Sequence, residues 1–290
     1  RWHSWIARPP PKGQVRGSNP LRGTNYSLTQ WRHRQLARLL RDIMNLLLLL
    51  PDDFISSDRV QLRGRRLQHV NKVIKARPGD VLKVGLLNGG IGRAEILHIH
   101  KDVAELCVEL TDAPPSPLAI NLILALPRPK MLRRILQAST SLGVKQIHLI
   151  GSWRVEKSYW QSPFLAADKI HEQLILGLEQ AMDTQLPEVH LHPYFKPFVE
   201  DQLDAIAGNS TRLVAHPTAT EAMPAKALQA ITLAIGPEGG FIPYEIDKFA
   251  ELGFAAMSLG PRILTVEVAV SSLLSRLAVN LESNAHSAHN

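Results

Sequence analysis

Residues 233–270 read LAIGPEGGFIPYEIDKFAELGFAAMSLGPRILTVEVAV, and this stretch decides the fold. Two apolar runs, 233–235 and 255–259, each end in a glycine-bearing turn. The first turn is Gly236-Pro237-Glu238-Gly239-Gly240 and the second is Gly260-Pro261-Arg262. Helical spacing follows each turn, so each unit reads strand, glycine turn, helix. Glycine at a strand end lets backbone amides and carbonyls approach a ligand with no Cβ in the way. In open α/β sheets ligands sit beyond the carboxyl ends of the strands. Two such turns on neighbouring strands are expected to form one pocket walled by main chain.

Upstream of this stretch the alternation continues. Residues 118–126 are almost continuously apolar, as expected for a strand buried on both faces. A helix to about Leu142 follows, with Gly143 as its cap. Strands are expected at 146–150, 187–192 and 213–215, and helices at 163–182 and 199–207. Downstream, a last helix is expected from Val266 to Leu281, then a short tail at 285–290. The domain spans 118–284. Its N-terminal border is Pro114-Pro115-Ser116-Pro117, a linker in which three prolines exclude regular helix or central strand.

Residues 44–113 read differently. Short strands at 60–62, 81–87, 91–99 and 103–110, with turn signals at Pro78-Gly79 and Asn88-Gly89-Gly90, predict a small β-barrel. Helical spacing covers 65–75. Eight Lys/Arg and one acid fall between 59 and 83. That bias favours a polyanion-facing surface over an ordinary solvated face. Arg63, Arg65, Arg66, Lys72 and Lys75 are the candidate RNA contacts here, joined by Arg128 and Lys130 of the second domain.

The chain carries 290 residues and a net charge of +7. Residues 1–43 hold nine Lys/Arg and one acid, which leaves 24 Lys/Arg against 25 Asp/Glu in the rest. The basic excess therefore lies in a proline- and arginine-rich segment without sustained periodicity, expected to be an upstream-translated extension before Met44. A single cysteine, Cys107, excludes an internal disulfide framework and a cysteine-based zinc site. The eight histidines between 69 and 216 show no zinc-ligand spacing, so no metal is expected. No Gly-Lys-Ser/Thr follows the glycines at 85–92, which excludes a P-loop. No apolar run reaches the ~20 residues of a membrane span. A cytoplasmic protein without a membrane partner is the expectation.

LAIGPEGGF, EIDKFAELGF and SLGPRIL together resemble the 16S ribosomal RNA (uracil-N3)-methyltransferases, the RsmE family of the SPOUT superfamily. The resemblance runs from about Met44 to Leu281. It implies an α/β fold: a SPOUT trefoil-knot methyltransferase domain preceded by a small PUA-like β-barrel. It also implies a homodimer, S-adenosylmethionine as cofactor and 16S rRNA of the small ribosomal subunit as substrate. Carried onto this chain, the cofactor residues are His216, Pro217, Ile235, Gly236, Glu238, Gly239, Gly240, Leu259, Gly260, Arg262, Ile263 and Leu264.

The residue chemistry agrees with a methyl-donor pocket. Methyl transfer needs alignment above all, and loss of the uridine N3 proton needs a base or a charge stabiliser. Glu267 and Arg262 are the candidates for those catalytic roles. The family usually continues LGPRIL with Arg-Thr-Glu-Thr-Ala, where this chain has Thr265-Val266-Glu267-Val268-Ala269. Thr265 lacks the charge and the donor fork of an arginine. The cofactor loops are thus kept while the substrate side is altered. A catalytically altered paralogue that only binds RNA or assists ribosome assembly is the alternative.

Overall fold

The computed structural model describes residues 46–217, 219 and 230–287. The basic segment at 1–43, Met44 and the last three residues lie outside them. Two sheets organise the described chain.

The first sheet holds β1 (Leu47–Leu49), β2 (Arg59–Leu62), β3 (Val81–Leu86), β4 (Ile91–Ile99) and β5 (Ala104–Asp112), in the order β1-β3-β4-β5-β2. β1 runs parallel to β3, and the remaining pairs are antiparallel. β1 is an addition to the sequence expectation. It escapes pattern reading because both of its faces are buried, so no polar residue alternates with the leucines. Leu47 and Leu49 pack into the sheet's own core with Val84, Ala94 and Leu106. Leu46 and Leu48 face the other way, onto Ile91 and Leu178. The helix expected over 65–75 is shorter: α1 covers Gly64–His69 and passes into a wider turn at Val70–Ile74. There Lys75 donates its N–H to the carbonyl of Val70, five residues back, and stops the helix at φ 53°.

The second sheet is all parallel: β6 (Leu118–Ala125), β7 (Val144–Ile150), β8 (Glu188–His192), β9 (Thr211–Ala215), β10 (Ile231–Ile235) and β11 (Ala255–Met257). Their order is β11-β9-β10-β6-β7-β8. The two glycine turns are therefore not on neighbouring strands, because β9 lies between β10 and β11. Helices α2 (Pro129–Ser141), α3 (Ala167–Ala181), α4 (Phe195–Asp201), α5 (Leu203–Ala207), α6 (Pro243–Glu251) and α7 (Val266–Ser287) accompany the strands. The single helix expected at 199–207 is two short ones, broken at Gln202, whose ψ of −38° with φ −127° leaves the helical region. The last helix runs beyond Leu281 to Ser287, so the start of the expected tail is helical.

One buried seam joins the two sheets. Glu179, in the last turn of α3, receives both arms of the Arg65 guanidinium at 2.9 and 3.1 Å, and its carbonyl accepts the N–H of Leu46 at 2.9 Å. Asn88 in the β3–β4 turn donates its N–H to the carbonyl of Thr184 and accepts the N–H of Leu186 on its side-chain oxygen. Thr184 returns its hydroxyl to the carbonyl of Gly89. On the parallel-sheet side, Lys145 of β7 pairs with the buried Asp183 at 2.5 Å and so holds the segment that carries Thr184. Residues 113–117 cross between the sheets without regular structure, as the prolines require.

Candidate functional site

The carboxyl ends of β9, β10 and β11 open into one cavity of about 390 Å³. β9 ends there with Ala215, His216 and Pro217; β10 supplies Ile235 and the glycine turn to Phe241; β11 supplies Met257 and the second turn. Apolar residues bury β10 throughout, β9 at Leu213 and Val214, and β11 at Met257, and the turns project because the chain cannot stay extended through them. Gly240 sits at φ 73° and Gly260 at φ 114°, a region that favours glycine. A Cβ on Gly236 would lie 3.0 Å from the main-chain nitrogen of Phe241, so this turn folds tightly on itself. The first turn of α7 closes the cavity with Val266 and Ala269.

All twelve residues expected to hold the cofactor line this cavity, Arg262 among them. Glu238 also braces the loop: its carboxylate accepts the N–H of Arg128 at 3.1 Å, which ties the turn to the start of α2. Glu267 stands apart. It is half-buried in the first turn of α7 and lines no part of the cavity, because the helical rotation after Leu264 turns Val266 and Ala269 inward instead. Ile263 is 88% exposed at the lip, beside the exposed Leu264 and Val268.

Two residues join the site that the sequence does not place there. Arg154, after β7, lines the cavity and donates to the carbonyl of Gly239. Glu245 in α6 is 2% exposed, and its carboxylate accepts the N–H of Trp153 at 2.8 Å, the N–H of Ile242 at 3.0 Å and the hydroxyl of Ser152 at 3.2 Å. Glu245 also caps the start of α6: it reaches back to the N–H of Ile242, and Pro243 opens the first turn. Only the polar side chain at Ile242 is absent. The signal for Arg154 is its place four residues beyond a strand that ends on the same edge of the sheet.

The candidate RNA contacts separate into two groups. Arg63, Lys72 and Lys75 are exposed, as are Arg128 and Lys130 at the start of α2. Arg65 is half exposed but spent on Glu179. Arg66 is turned inward: its guanidinium binds Asp53 with both arms and donates to the carbonyl of Leu48. Such a bidentate pair in a buried setting holds the sheet edge and leaves little charge for a phosphate.

A second cluster gathers histidines on β7 and β8. The Nδ1 of His148 lies 3.1 Å from the Nε2 of His192, and the ring of His148 stacks on that of His190 at 4.8 Å. Burial, then the neighbouring His190 and His192, pushes the His148 imidazole down to about 4. No group of three ligating side chains among the described residues has the geometry to hold a metal.

Comparison with known proteins places this architecture. Residues 114–278 match the family model of the RNA methyltransferase domain. The chain is 32% identical over 245 residues to ribosomal RNA small subunit methyltransferase E of Treponema pallidum, covering 82% of this chain and 91% of that protein. It is 29% identical over 229 residues to the protein of the same name from Buchnera aphidicola, covering 76% and 90%. Among solved structures, the Neisseria gonorrhoeae ribosomal RNA small subunit methyltransferase E bound to S-adenosyl methionine shares the fold, with a TM-score of 0.65 at 24% identity, over 82% of this chain and 98% of that one. The matched region carries the parallel sheet, both glycine turns and the cavity between them, and the wider similarity takes in the antiparallel sheet as well: the chain belongs to the ribosomal RNA small subunit methyltransferase E family.

Proposed function

We propose that this protein methylates a uridine at N3 in 16S rRNA of the small ribosomal subunit, using S-adenosylmethionine. The cavity at the ends of β9, β10 and β11 carries the proposal. Its walls fit the cofactor's chemistry. Main-chain groups of the two glycine turns would pair with the adenine edge, while Ile235, Leu259, Ile263 and Leu264 would cover its faces. His216 and Pro217 complete the wall from β9. S-adenosylmethionine supplies an activated methyl group on a sulfonium sulfur, which needs no metal. Arg262, on the cavity wall, is the group we assign to stabilising negative charge on the uracil as N3 gives its proton to solvent water. Glu267 lies outside that wall, so the arginine bears the assignment.

The finer architecture follows the same reading. The insertion of β10 between β6 and β9, with β11 outside β9, supports a trefoil knot, a rare exception to the rule against threaded loops. The five-stranded sheet supports a PUA-like barrel over 44–113, with 114–117 as linker and 118–284 as the methyltransferase domain. Exposed Arg63, Lys72, Lys75, Arg128 and Lys130 would contact phosphates and position the RNA without reading its sequence. The exposed apolar lip at Ile263, Leu264 and Val268 supports a second copy of the chain beside the cavity, as a homodimer. No helix among the described residues is long and apolar enough to cross a membrane, and we place the protein in the cytoplasm with its substrate.

Calorimetric titration with S-adenosylmethionine tests the reading. Micromolar binding is expected, weakened tenfold or more in Gly260→Ala, where a Cβ meets an unfavourable φ of 114°. Absence of binding at millimolar concentration would leave the glycine turns as scaffold and favour the RNA-binding alternative, to which the loss of arginine at position 265 points.

A further inference from the structure

We infer that Trp153, Tyr194 and Tyr244 form a platform on which unpaired bases of the RNA stack beside the cavity, an inference that rests on the RNA methyltransferase reading above. The aromatic residues of the loop after β7 divide sharply. Tyr159 and Trp160 pack against the core of the parallel sheet. Trp153 is 80% exposed. Tyr194 is 74% exposed and Tyr244 46%. Trp153 and Tyr194 are thus held out in water, and Tyr244 leaves almost half its surface open with the Lys248 ammonium 6.0 Å from its ring centre.

Three independent contacts bring these residues to one rim. The N–H of Trp153 is held by the buried carboxylate of Glu245, the residue directly after Tyr244. Gly151 donates its N–H to the carbonyl of His192 at 2.7 Å, and a Cβ at this glycine would collide with the carbonyl oxygen of Pro193 and lie 3.4 Å from the nitrogen of Tyr194. The exit of β7 and the start of α4 therefore run in backbone contact. Phe195, the residue after Tyr194, places its ring edge-on to Phe249 of α6 at 5.6 Å. The segments bearing all three exposed rings are thus anchored on one another.

RNA is the occupant that the surroundings favour. Arg154 follows Trp153 in the chain, reaches the glycine turn, lines the cavity and forms no ion pair with a described carboxylate. A cation between an exposed indole and the reaction cavity suits a phosphate next to a stacked base. Glu245, the carboxylate that holds the N–H of Trp153, is buried and occupied by three donors. Sequence-tolerant recognition of single strands combines these two elements, π-faces and positive charge.

The test uses the full chain and a uridine-containing single-stranded RNA oligonucleotide carrying 2-aminopurine. Affinity is read by fluorescence at several salt concentrations, and S-adenosylmethionine affinity by calorimetry. Trp153→Ala is expected to weaken RNA binding by roughly 5- to 160-fold, the range for loss of one stacked base. Trp153→Phe should restore most of it, and the salt slope should stay unchanged because no phosphate contact is lost. S-adenosylmethionine affinity should stay within about twofold. Unchanged RNA affinity in both Trp153→Ala and Tyr194→Ala would overturn the inference, as would a parallel loss of cofactor affinity, which would make Trp153 a structural part of the cavity. Unchanged RNA affinity with a Trp153-dependent self-association in sedimentation would assign the rim to a protein contact and equally overturn it. Failure of the wild type to bind S-adenosylmethionine would count against the proposed activity alone, because the aromatic dependence of RNA binding is read separately.

Discussion

Glu245 shows how one buried carboxylate can build a site it does not line. Its three donors come from two elements, the loop after β7 and the first turn of α6, and they hold Arg154 against the glycine turn. Glu245→Ala removes the acceptor and leaves two main-chain N–H groups without it. Unpaired buried donors and lost charge-assisted bonds are each costly, and a loss of roughly 3 kcal/mol is expected in chemical denaturation. Glu245→Gln, which keeps one acceptor oxygen, should lose clearly less. His148 gives a pH dependence of definite sign. Its folded-state value of about 4, set by burial and then by His190 and His192, lies below the 6.5 of an unfolded histidine. His192 is shifted the same way, first by burial. Between these values the unfolded chain binds more protons, so stability falls as pH drops from about 6.5 towards 4. His148 alone accounts for a loss on the order of 3 kcal/mol. Glu188, 3.4 Å from His190, is the carboxylate facing the cluster. The melting temperature measured from pH 7 to pH 4.5 should fall in the wild type and fall less in His148→Gln.

The elements differ in how plainly the sequence announces them. β6 and β10 are apolar but for Asn121 and Thr232 and flanked by turn residues, so both their existence and their burial on two faces are legible. β1 is equally apolar but only three residues long, and nothing local separates it from a stray leucine run. Strand neighbours are not legible at all: the pattern of 255–257 says that the segment is buried, not that it pairs with β9 rather than β10. The cavity residues on the glycine turns were readable because glycine at a strand end has few other uses. Arg154 and Glu245 were not, because their importance arises from contacts spanning more than 80 residues. The separation of Arg66 from the other cations is hidden for the same reason, since Asp53 reaches it only through the fold. α2 and α3 provide an element-level prediction. Gly177 lets these helices approach closely: a Cβ there would stand 2.7 Å from the Cβ of Thr140 and 2.8 Å from the carbonyl of Gln137. Gly177→Ala must push backbone as well as side chain, and overpacking of this kind costs about 1–3 kcal/mol. A lower denaturation midpoint with an unchanged slope is the expected readout.

At the scale of the described molecule, the antiparallel sheet and the parallel sheet are bound by a seam of mixed chemistry. Leu46, Leu48, Ile91 and Leu178 exclude water, while Arg65–Glu179 and the Asn88–Thr184 exchange fix register. Apolar burial supplies most of the free energy of such a contact, and the polar pairs supply its geometry. A seam of this kind holds the exposed cations of the first sheet at a set distance from the cavity of the second, as an enzyme acting on one nucleotide of a large RNA requires. The altered segment Thr265-Val266-Glu267-Val268 follows the second glycine turn and puts Val266 on the cavity wall, while all twelve residues assigned to the cofactor line the same cavity. The most direct measurement is transfer of labelled methyl from S-adenosylmethionine to small ribosomal subunits lacking the modification, followed by nucleoside digestion of the 16S rRNA. Label is expected in N3-methyluridine, with transfer reduced by two orders of magnitude or more in Arg262→Ala. Cofactor binding without any label in rRNA would contradict that expectation and leave a protein that keeps the fold and the pocket but not the reaction.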